Sequence, residues 1–194
     1  MNLLRKLYDW TLEKSKDPKA PWFLAIISFS ESSFFPIPPD IILIPMVLAN
    51  RIKAWTYATI CTVSSVLGGV LGYFIGFFFY NSIGIMIIQY YSLENLFSSF
   101  ESNYNDYGIL IVLGAGFTPF PFKFITIASG LFSLNLPLFI SVAFFARGLR
   151  FFLVAGLLKL FGNFIKNLID RYFNIIATLF FLLLIGSFIL IKYL

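Results

Sequence analysis

The chain has 194 residues, of which 59% are hydrophobic, 20% aromatic and only 12% charged. A soluble domain carries about 25% charged residues, and one of this size could not hide so many large apolar side chains. The composition therefore predicts an integral membrane protein. There is no His and a single Cys, Cys61, which excludes His-based catalysis, Cys/His zinc sites and disulfides. We therefore expect no metal and no cofactor. We expect no nucleic-acid partner either, because the net charge of +5 is better explained by membrane topology.

Residues 1–19 precede the first apolar run and carry eight charged side chains. No small-residue cleavage site follows that run, so the segment does not resemble a secretory signal. Its apolar residues recur at helical spacing, which predicts a short amphipathic helix at the membrane surface. The alternative is a soluble cap that packs on the helical bundle. The apolar residues are Leu3, Leu4, Leu7, Tyr8 and Leu12.

Three apolar stretches have the length and composition of spanning helices. No charged residue occurs in the 40 positions 54–93, and the best membrane-crossing piece covers about 55–80. A second stretch, about 137–158, contains two arginines. A third, 173–191, is uncharged and predicts a C-terminal transmembrane helix over 172–192.

Two further apolar stretches are interrupted by proline and charge. The stretch 21–50 contains Glu31, Asp40 and five prolines, and 107–136 contains two prolines and Lys123. The uncharged pieces of the first are about 10 residues long, and at about 1.5 Å per residue such a piece cannot cross about 30 Å of hydrocarbon. We predict a re-entrant helical hairpin in each stretch. The alternative is one kinked spanning helix in each place.

The sidedness of the charges favours the hairpins. If both hairpins return to the side from which they start, ten Lys and Arg lie on one side, one on the other and three in the membrane. The loop after the first span, which carries Glu94, Glu101 and Asp106, then lies on the side with few basic residues. The positive-inside tendency predicts a multi-pass membrane protein with a cytoplasmic N-terminus. We expect one membrane domain, 1–194, with its core over 20–165.

The two interrupted stretches also resemble each other. Their Pro-x-Pro turns are 83 residues apart, and at the same offset Asp40 matches Lys123. Each hairpin precedes a spanning helix, and the two units have opposed orientations. The predicted fold is therefore an all-α inverted repeat of re-entrant hairpin plus transmembrane helix, as in many transporters. The alternative is a coincidence of two proline kinks. The turn prolines are Pro36, Pro38, Pro39, Pro119 and Pro121.

Ionisable residues at membrane depth are costly, so each one is a candidate functional residue. If the hairpin tips meet, Asp40 and Lys123 approach each other or share a cavity, in a functional or a purely structural ion pair. Arg147 and Arg150 share one helix face, with the two carboxylates as candidate partners. The five residues are Glu31, Asp40, Lys123, Arg147 and Arg150.

This set predicts an anion site. The half-helix after the second turn presents unpaired N–H groups, which together with Lys123, Arg147 and Arg150 suit a phosphate. Prolines fit the first turn of such a helix because they lack the N–H group. Glu31 and Asp40 could gate the site or couple it to protons, since a carboxylate can alternate between a proton and an arginine.

Glycines recur at spacing four in the first spanning helix, at Gly68, Gly72 and Gly76. Small residues at this spacing allow helices to approach closely, so we expect them to serve helix packing. A homo-oligomer interface is the alternative. The sequence contains no phosphate loop, dinucleotide fingerprint or Ser-His-Asp set, so we predict no catalytic residues and no enzyme activity.

The motifs together resemble the DedA family of VTT (SNARE-associated) domain proteins, and in particular its small YqaA-like branch. They are the string 31–40, the glycine-rich segment 68–76 and the string 116–123. The resemblance covers about residues 20–165 and implies two facing re-entrant hairpins. It also implies movement of undecaprenyl phosphate across the inner membrane, dependent on the proton motive force, or phospholipid scrambling as in the eukaryotic relatives.

The resemblance also implies roles for single residues. The essential early acid of the family matches Glu31, and the acid after the first turn matches Asp40. Many members have two arginines around the second turn. Here Gly116 stands at the first of these positions, and Lys123 lies one place beyond the second.

The sequence thus predicts a transporter or flippase for a lipid phosphate whose partners are membrane lipids and protons. The phosphate would be held by Lys123, Arg147 and Arg150. The alternatives are a small-ion or small-solute carrier and a non-transporting membrane scaffold.

Overall fold

The computed structural model describes residues 19–35, 37–90, 94–118, 120–162 and 164. The predicted amphipathic helix of the first 19 residues lies outside this range except for Lys19, which forms a turn. The predicted C-terminal helix over 172–192 and the turn residues Pro36 and Pro119 also lie outside the described residues.

Helices make up the secondary structure of the described residues, which confirms the all-α prediction. A short 3-10 turn, Arg51–Lys53, precedes the third α-helix, and a π-helical turn, Tyr80–Gly84, follows it. The helices are α1 (Ala20–Ser33), α2 (Asp40–Ala49), α3 (Ala54–Phe79), α4 (Ile85–Tyr90), α5 (Glu94–Phe117), α6 (Phe122–Leu131) and α7 (Leu136–Gly162).

Two helical segments of the described residues are long and apolar enough to cross a membrane. They are Arg51–Gly84, with 34 residues, and Leu136–Gly162, with 27 residues, so they are about 50 and 40 Å long. Large apolar side chains on α7 are exposed, such as Phe145 at 63% and Leu157 at 53%. A surface of this kind suits lipid contact. The helices predicted over 55–80 and 137–158 are present, with wider bounds.

The two long helices run antiparallel. Near the start of α7, the ring of Phe139 faces Gly69 in the middle of α3. Later in α7, the ring of Phe152 stacks on Trp55 near the start of α3, with 5.7 Å between ring centroids. Helix α3 lies at the centre of the bundle and contacts α1, α6 and α7.

Helices α1 and α2 form a helical hairpin against the first half of α3. The Ser28 hydroxyl donates to the Cys61 carbonyl at 2.8 Å, and the Ser33 hydroxyl donates to the Gly68 carbonyl at 2.9 Å, so α1 runs parallel to α3. Both helices contribute to one buried apolar cluster with the start of α3. The first tip, with the described residues 34, 35 and 37–39, therefore lies near the middle of α3.

Helices α5 and α6 form a second hairpin. The Tyr104 and Ser129 hydroxyls are 2.9 Å apart, and Gly116 faces the ring of Phe122 at the other end of the pair, so these helices are antiparallel. Its tip, with the described residues 118, 120 and 121, also lies near the middle of α3, because Phe122 faces Gly69 there. The two tips therefore approach each other along opposite halves of α3.

The prediction of a loop over the acidic residues after the first span is wrong, because the described residues of this region are helical. Helix α4 covers Ile85–Tyr90, and α5 already begins at Glu94. The polar residues of α5 suggested a loop, yet Tyr104 on this helix is only 7% exposed and packs on Phe132, with 5.1 Å between ring centroids. This tertiary contact gives a polar helix a buried face, which outweighs its weak local preference.

The glycine row of α3 lies against both hairpins. A methyl group on Gly68 would lie 2.8 Å from the Phe29 carbonyl carbon of α1, and one on Gly76 would lie 2.9 Å from the Ile127 carbonyl carbon of α6. Between them, Gly72 faces Thr126 of α6 and the Ser32 carbonyl. Because glycine has no Cβ, the backbones of α1 and α6 can approach α3 closely.

A layer of buried polar side chains, which we call the polar layer, separates two apolar cores. It contains Glu31, Ser32, Ser65 and Arg147. One core lies between the first hairpin, the start of α3 and the end of α7, and the other lies between the second hairpin, the end of α3 and the start of α7. On α7, Ala143 belongs to the second core and Phe151 to the first, with Arg147 between them. The charged residues of the hairpin tips meet in this layer.

Candidate functional site

The centre of the polar layer is an ion pair between Glu31 and Arg147. The Arg147 Nη2 atom lies 2.6 Å from Glu31 Oε2, and the two residues are 1% and 6% exposed. Glu31 lies in the last turn of α1, and Arg147 lies on α7. The pair therefore joins the first hairpin to the second long helix, deep inside the protein.

Glu31 also occupies the start of α6. The backbone N–H of Phe122, the first residue of α6, donates to Glu31 Oε1 at 3.2 Å. The Ser32 hydroxyl donates to Glu31 Oε2 at 3.2 Å. A helix start attracts anions through its unpaired N–H groups and the positive end of its dipole. The anion site predicted at this helix start is therefore filled by a carboxylate of the protein itself.

Arg147 has three further contacts besides its ion pair with Glu31. Its Nε–H donates to the Ser65 hydroxyl at 2.6 Å. Its guanidinium carbon lies 5.0 Å from the ring centroid of Phe122 and 4.7 Å from that of Phe151. Aromatic faces attract a guanidinium and shield it from water. The ion pair with Glu31 thus lies in a dry environment, where charge interactions are strong.

A second ion pair joins the two tips. Arg150 Nη2 pairs with Asp40 Oδ2, and Arg150 Nη1 donates to the Thr118 carbonyl. Asp40 is the first residue of α2, and Thr118 belongs to the second tip. Because a planar guanidinium can bind two oxygens at once, Arg150 bridges the tips. The side chains of Arg150 and Asp40 are 13% and 15% exposed, so this pair lies nearer the surface.

Asp40 and Lys123 form no ion pair in the described part of the chain, so the predicted pairing is wrong, whereas the alternative of a shared cavity stays a prediction. Arg150 holds the Oδ2 atom of Asp40, while the Lys123 ammonium lies over the Phe124 ring, 5.3 Å from its centroid. The guanidinium prevails because it can bond Asp40 and the second tip together, which an ammonium is less suited to do. The Oδ1 atom of Asp40 is buried and has no hydrogen-bond partner among the described residues.

Two of the turn prolines lie directly before the helices that follow the turns. Pro39 is the N-cap residue of α2, and Pro121 is the N-cap residue of α6, with φ angles of −65° and −63°. These values are the ones that the proline ring fixes. Pro38 lies in the first break, two residues before the helix. The prolines therefore end the turns and set the direction in which Asp40 and Phe122 enter their helices.

Three hydroxyl residues of the site escaped sequence reasoning. Ser32 and Ser65 are fully buried, with 2.7 Å between their hydroxyl oxygens. The Thr126 hydroxyl is 2.9 Å from the Ser32 carbonyl oxygen and joins α6 to α1. The sequence did contain a signal for Ser65, because this residue lies three residues before Gly68 and therefore on the same face of α3 as the glycine row.

A comparison with protein-family models places this arrangement in a family. The model of the VTT domain matches residues 35–160. The chain belongs to the VTT-domain (DedA) family. The matched range covers the second tip, the first tip except Phe34, and four of the five predicted site residues, whereas Glu31 lies four positions before it.

Two curated relatives of this VTT-domain protein cover most of its length. An uncharacterized protein of Haemophilus influenzae is 37% identical over 157 residues, which is 81% of each chain. An uncharacterized protein of Histophilus somni is 33% identical over 161 residues, which is 81% of this chain and 82% of the relative. No solved structure matches the chain.

Proposed function

We propose that this VTT-domain protein moves a lipid phosphate across the membrane. The observation that carries the proposal is the site of Glu31. An anion already lies there between Arg147 and the Phe122 N–H, at the point where the two hairpin tips meet. A phosphate oxygen that replaced the carboxylate would meet the same charge-assisted hydrogen bonds.

The charges around the tips support an anionic substrate. Each of the two carboxylates pairs with one guanidinium, and Lys123 adds a further positive charge at the start of α6. Lys123 is half-buried, so an approaching phosphate can meet it before it meets the buried Arg147. Under this proposal Lys123 and Arg150 attract the headgroup and Arg147 holds it.

Protonation of Glu31 provides the exchange step. Ionised Glu31 competes with the phosphate for Arg147, and neutral Glu31 does not. In the proposed cycle, Glu31 takes up a proton and releases Arg147, and the phosphate takes its place. Release of the proton to the other side reverses the exchange, so that transport is coupled to a proton gradient. Asp40 performs the matching step at Arg150, where it gates the contact between the tips.

The architecture of the proposal is an inverted repeat of two re-entrant hairpins in the bacterial inner membrane, with a cytoplasmic N-terminus. The tips meet from opposite halves of α3, as such a repeat requires. The lipid tail remains in the bilayer against exposed apolar side chains while the headgroup passes between the tips. The substrate would be undecaprenyl phosphate or a phospholipid.

Reconstitution tests this function. Purified protein is placed in liposomes with a fluorescent polyprenyl phosphate, and flipping is followed with and without a pH gradient. We expect flipping that the gradient accelerates, and Arg147→Ala should abolish it in folded protein. Folded wild-type protein that flips neither this lipid nor a labelled phospholipid would refute the proposal. Uptake of inorganic phosphate in its place would indicate a small-solute carrier.

A non-transporting scaffold is the second candidate, because both arginines are already neutralised within the protein. A scaffold needs the charges only to balance. Under that function the double variant Asp40→Asn/Arg150→Gln should keep the stability of the protein better than either single variant and lose nothing else. Loss of lipid flipping in a stable double variant would count against the scaffold.

A further inference from the structure

Four side chains of the polar layer form a closed ring of hydrogen bonds. Arg147 Nε contacts the Ser65 hydroxyl at 2.6 Å, and Ser65 contacts the Ser32 hydroxyl at 2.7 Å. The Ser32 hydroxyl lies 3.2 Å from Glu31 Oε2, and that oxygen lies 2.6 Å from Arg147 Nη2. The ring joins α1, α3 and α7, and the exposed fraction of its members does not exceed 6%.

Both arms of the ring run from the donor Arg147 to the acceptor Glu31. An arginine can only donate, so Ser65 accepts from Arg147 and its own O–H is available for Ser32. Ser32 accepts that bond and donates to Glu31. The ionised carboxylate can only accept. A proton on Oε2 would add a donor where the ring already supplies two, so the ring is complete while this oxygen carries no proton.

We propose that Ser32 and Ser65 are positioning residues that set the pH at which Glu31 takes up a proton and releases Arg147. Hydrogen bonds to a carboxylate favour its ionised form. Ser32 supplies one of these bonds directly. Ser65 supports it by orienting Ser32 and by holding the guanidinium at its Nε atom. The consequence for transport rests on the proposed function, but the effect on Glu31 does not.

Other ionisable groups act on the same pair. Arg150 on α7, Asp40 on α2 and Cys61 on α3 lie within electrostatic range of Arg147. Lys123 of α6 is the neighbour of Phe122, whose N–H binds Glu31. Replacement of a serine by alanine leaves all these groups in place. A change in the protonation of Glu31 in such a variant therefore reports on the hydroxyl ring.

The test is an infrared titration of Glu31 in purified protein, with the Glu31→Gln variant used to identify the carboxylic acid band. A hydrogen bond to a charged group corresponds to about one pH unit, so Ser32→Ala should raise the midpoint by about one unit. Ser65→Ala should raise it by less. In the double variant the two shifts should not add, because the residues act through one chain of bonds.

Ser33→Ala is the matched control. Ser33 is also fully buried on α1, but its hydroxyl donates to the Gly68 and Phe29 carbonyls and not to the carboxylate. The titration midpoint of Glu31 in Ser33→Ala should equal that of the wild type. Equal midpoints in the wild type, Ser32→Ala and Ser65→Ala, with all three folded by size-exclusion chromatography, would overturn the proposal. If Ser32→Ala does not fold, the result for Ser65→Ala decides the question.

The transport assay then separates the two proposals. The pH optimum of lipid flipping in Ser32→Ala should move upward together with the infrared midpoint. A moved infrared midpoint in a protein that flips no lipid would support the role of the serines and refute the proposed function. An unmoved infrared midpoint in a protein that flips lipid would refute the role of the serines and support the proposed function.

Discussion

Replacement of Glu31 by glutamine isolates the charge of the central ion pair. Glutamine has nearly the same size, and its carbonyl oxygen can still accept from the Phe122 N–H. What it removes is the negative charge 2.6 Å from Arg147, a residue that is 1% exposed. The guanidinium is then left buried without a counter-ion, and the glutamine NH2 group adds donors where the ring supplies donors already.

The expected loss is large because the remaining charge cannot reach water. Removing one partner of a buried ion pair costs about 3–5 kcal/mol of stability. Removing both partners costs less, because no uncompensated charge remains. We therefore expect Glu31→Gln/Arg147→Met to be more stable than the sum of the single variants implies, by at least about 2 kcal/mol.

The assay is reversible unfolding in mixed detergent micelles, which gives the free energy of unfolding of each variant. Asp106→Asn is the control, since Asp106 is exposed and its replacement should change stability by less than about 0.5 kcal/mol. A loss below about 1 kcal/mol for Glu31→Gln, or strictly additive single and double variants, would refute a buried and dry ion pair at this position.

Further predictions concern packing and the bridge between the tips. Gly76→Ala should lower the free energy of unfolding by more than about 2 kcal/mol, because its Cβ would lie 2.9 Å from the Ile127 carbonyl carbon. Gly114→Ala, which meets nothing within 4 Å, should raise it by about 0.5–1 kcal/mol, and an equal loss in both would contradict the packing. Arg150→Lys should weaken the tip contact, because a lysine cannot reproduce the two-pronged bond to Asp40 and Thr118. Faster hydrogen exchange of the Phe34, Phe35 and Thr118 amides, which are hydrogen-bonded beside the tips, would reveal this, and unchanged exchange would argue against the bridge. Tyr73→Phe should cost about 1–3 kcal/mol by leaving the Leu134 carbonyl unpaired, whereas Tyr107→Phe should cost almost nothing because Tyr107 is 58% exposed.

Much of the fold followed from composition and proline placement. Spans near 55–80 and 137–158, and helix breaks within 21–50 and 107–136, correspond to elements of the structure. These features depend on local rules, namely the length of an apolar run and the inability of proline to continue a helix. The helix of α5 did not follow, because its buried face is created by a distant partner, Phe132.

The two carboxylates were predicted as candidate partners of Arg147 and Arg150, but the individual pairs were not predicted. The rarity of charge at membrane depth selected all five candidates, yet it cannot tell which cation faces which carboxylate. The offset of 83 residues between the two predicted repeats favoured Asp40 with Lys123, whereas side-chain reach and the geometry of the guanidinium select Arg150. The serines Ser32 and Ser65 carry no charge, so composition gave no reason to single them out.

The most direct test of the central claim is to count the protons that accompany phosphate binding. If Glu31 and the phosphate exchange on Arg147, each bound lipid phosphate should bring about one proton to the protein. Isothermal titration calorimetry of a short-chain prenyl phosphate in buffers of different ionisation enthalpy measures this number. We predict an uptake of about one proton in the wild type and its loss in Glu31→Gln. Binding with the same proton count in both proteins would contradict the account.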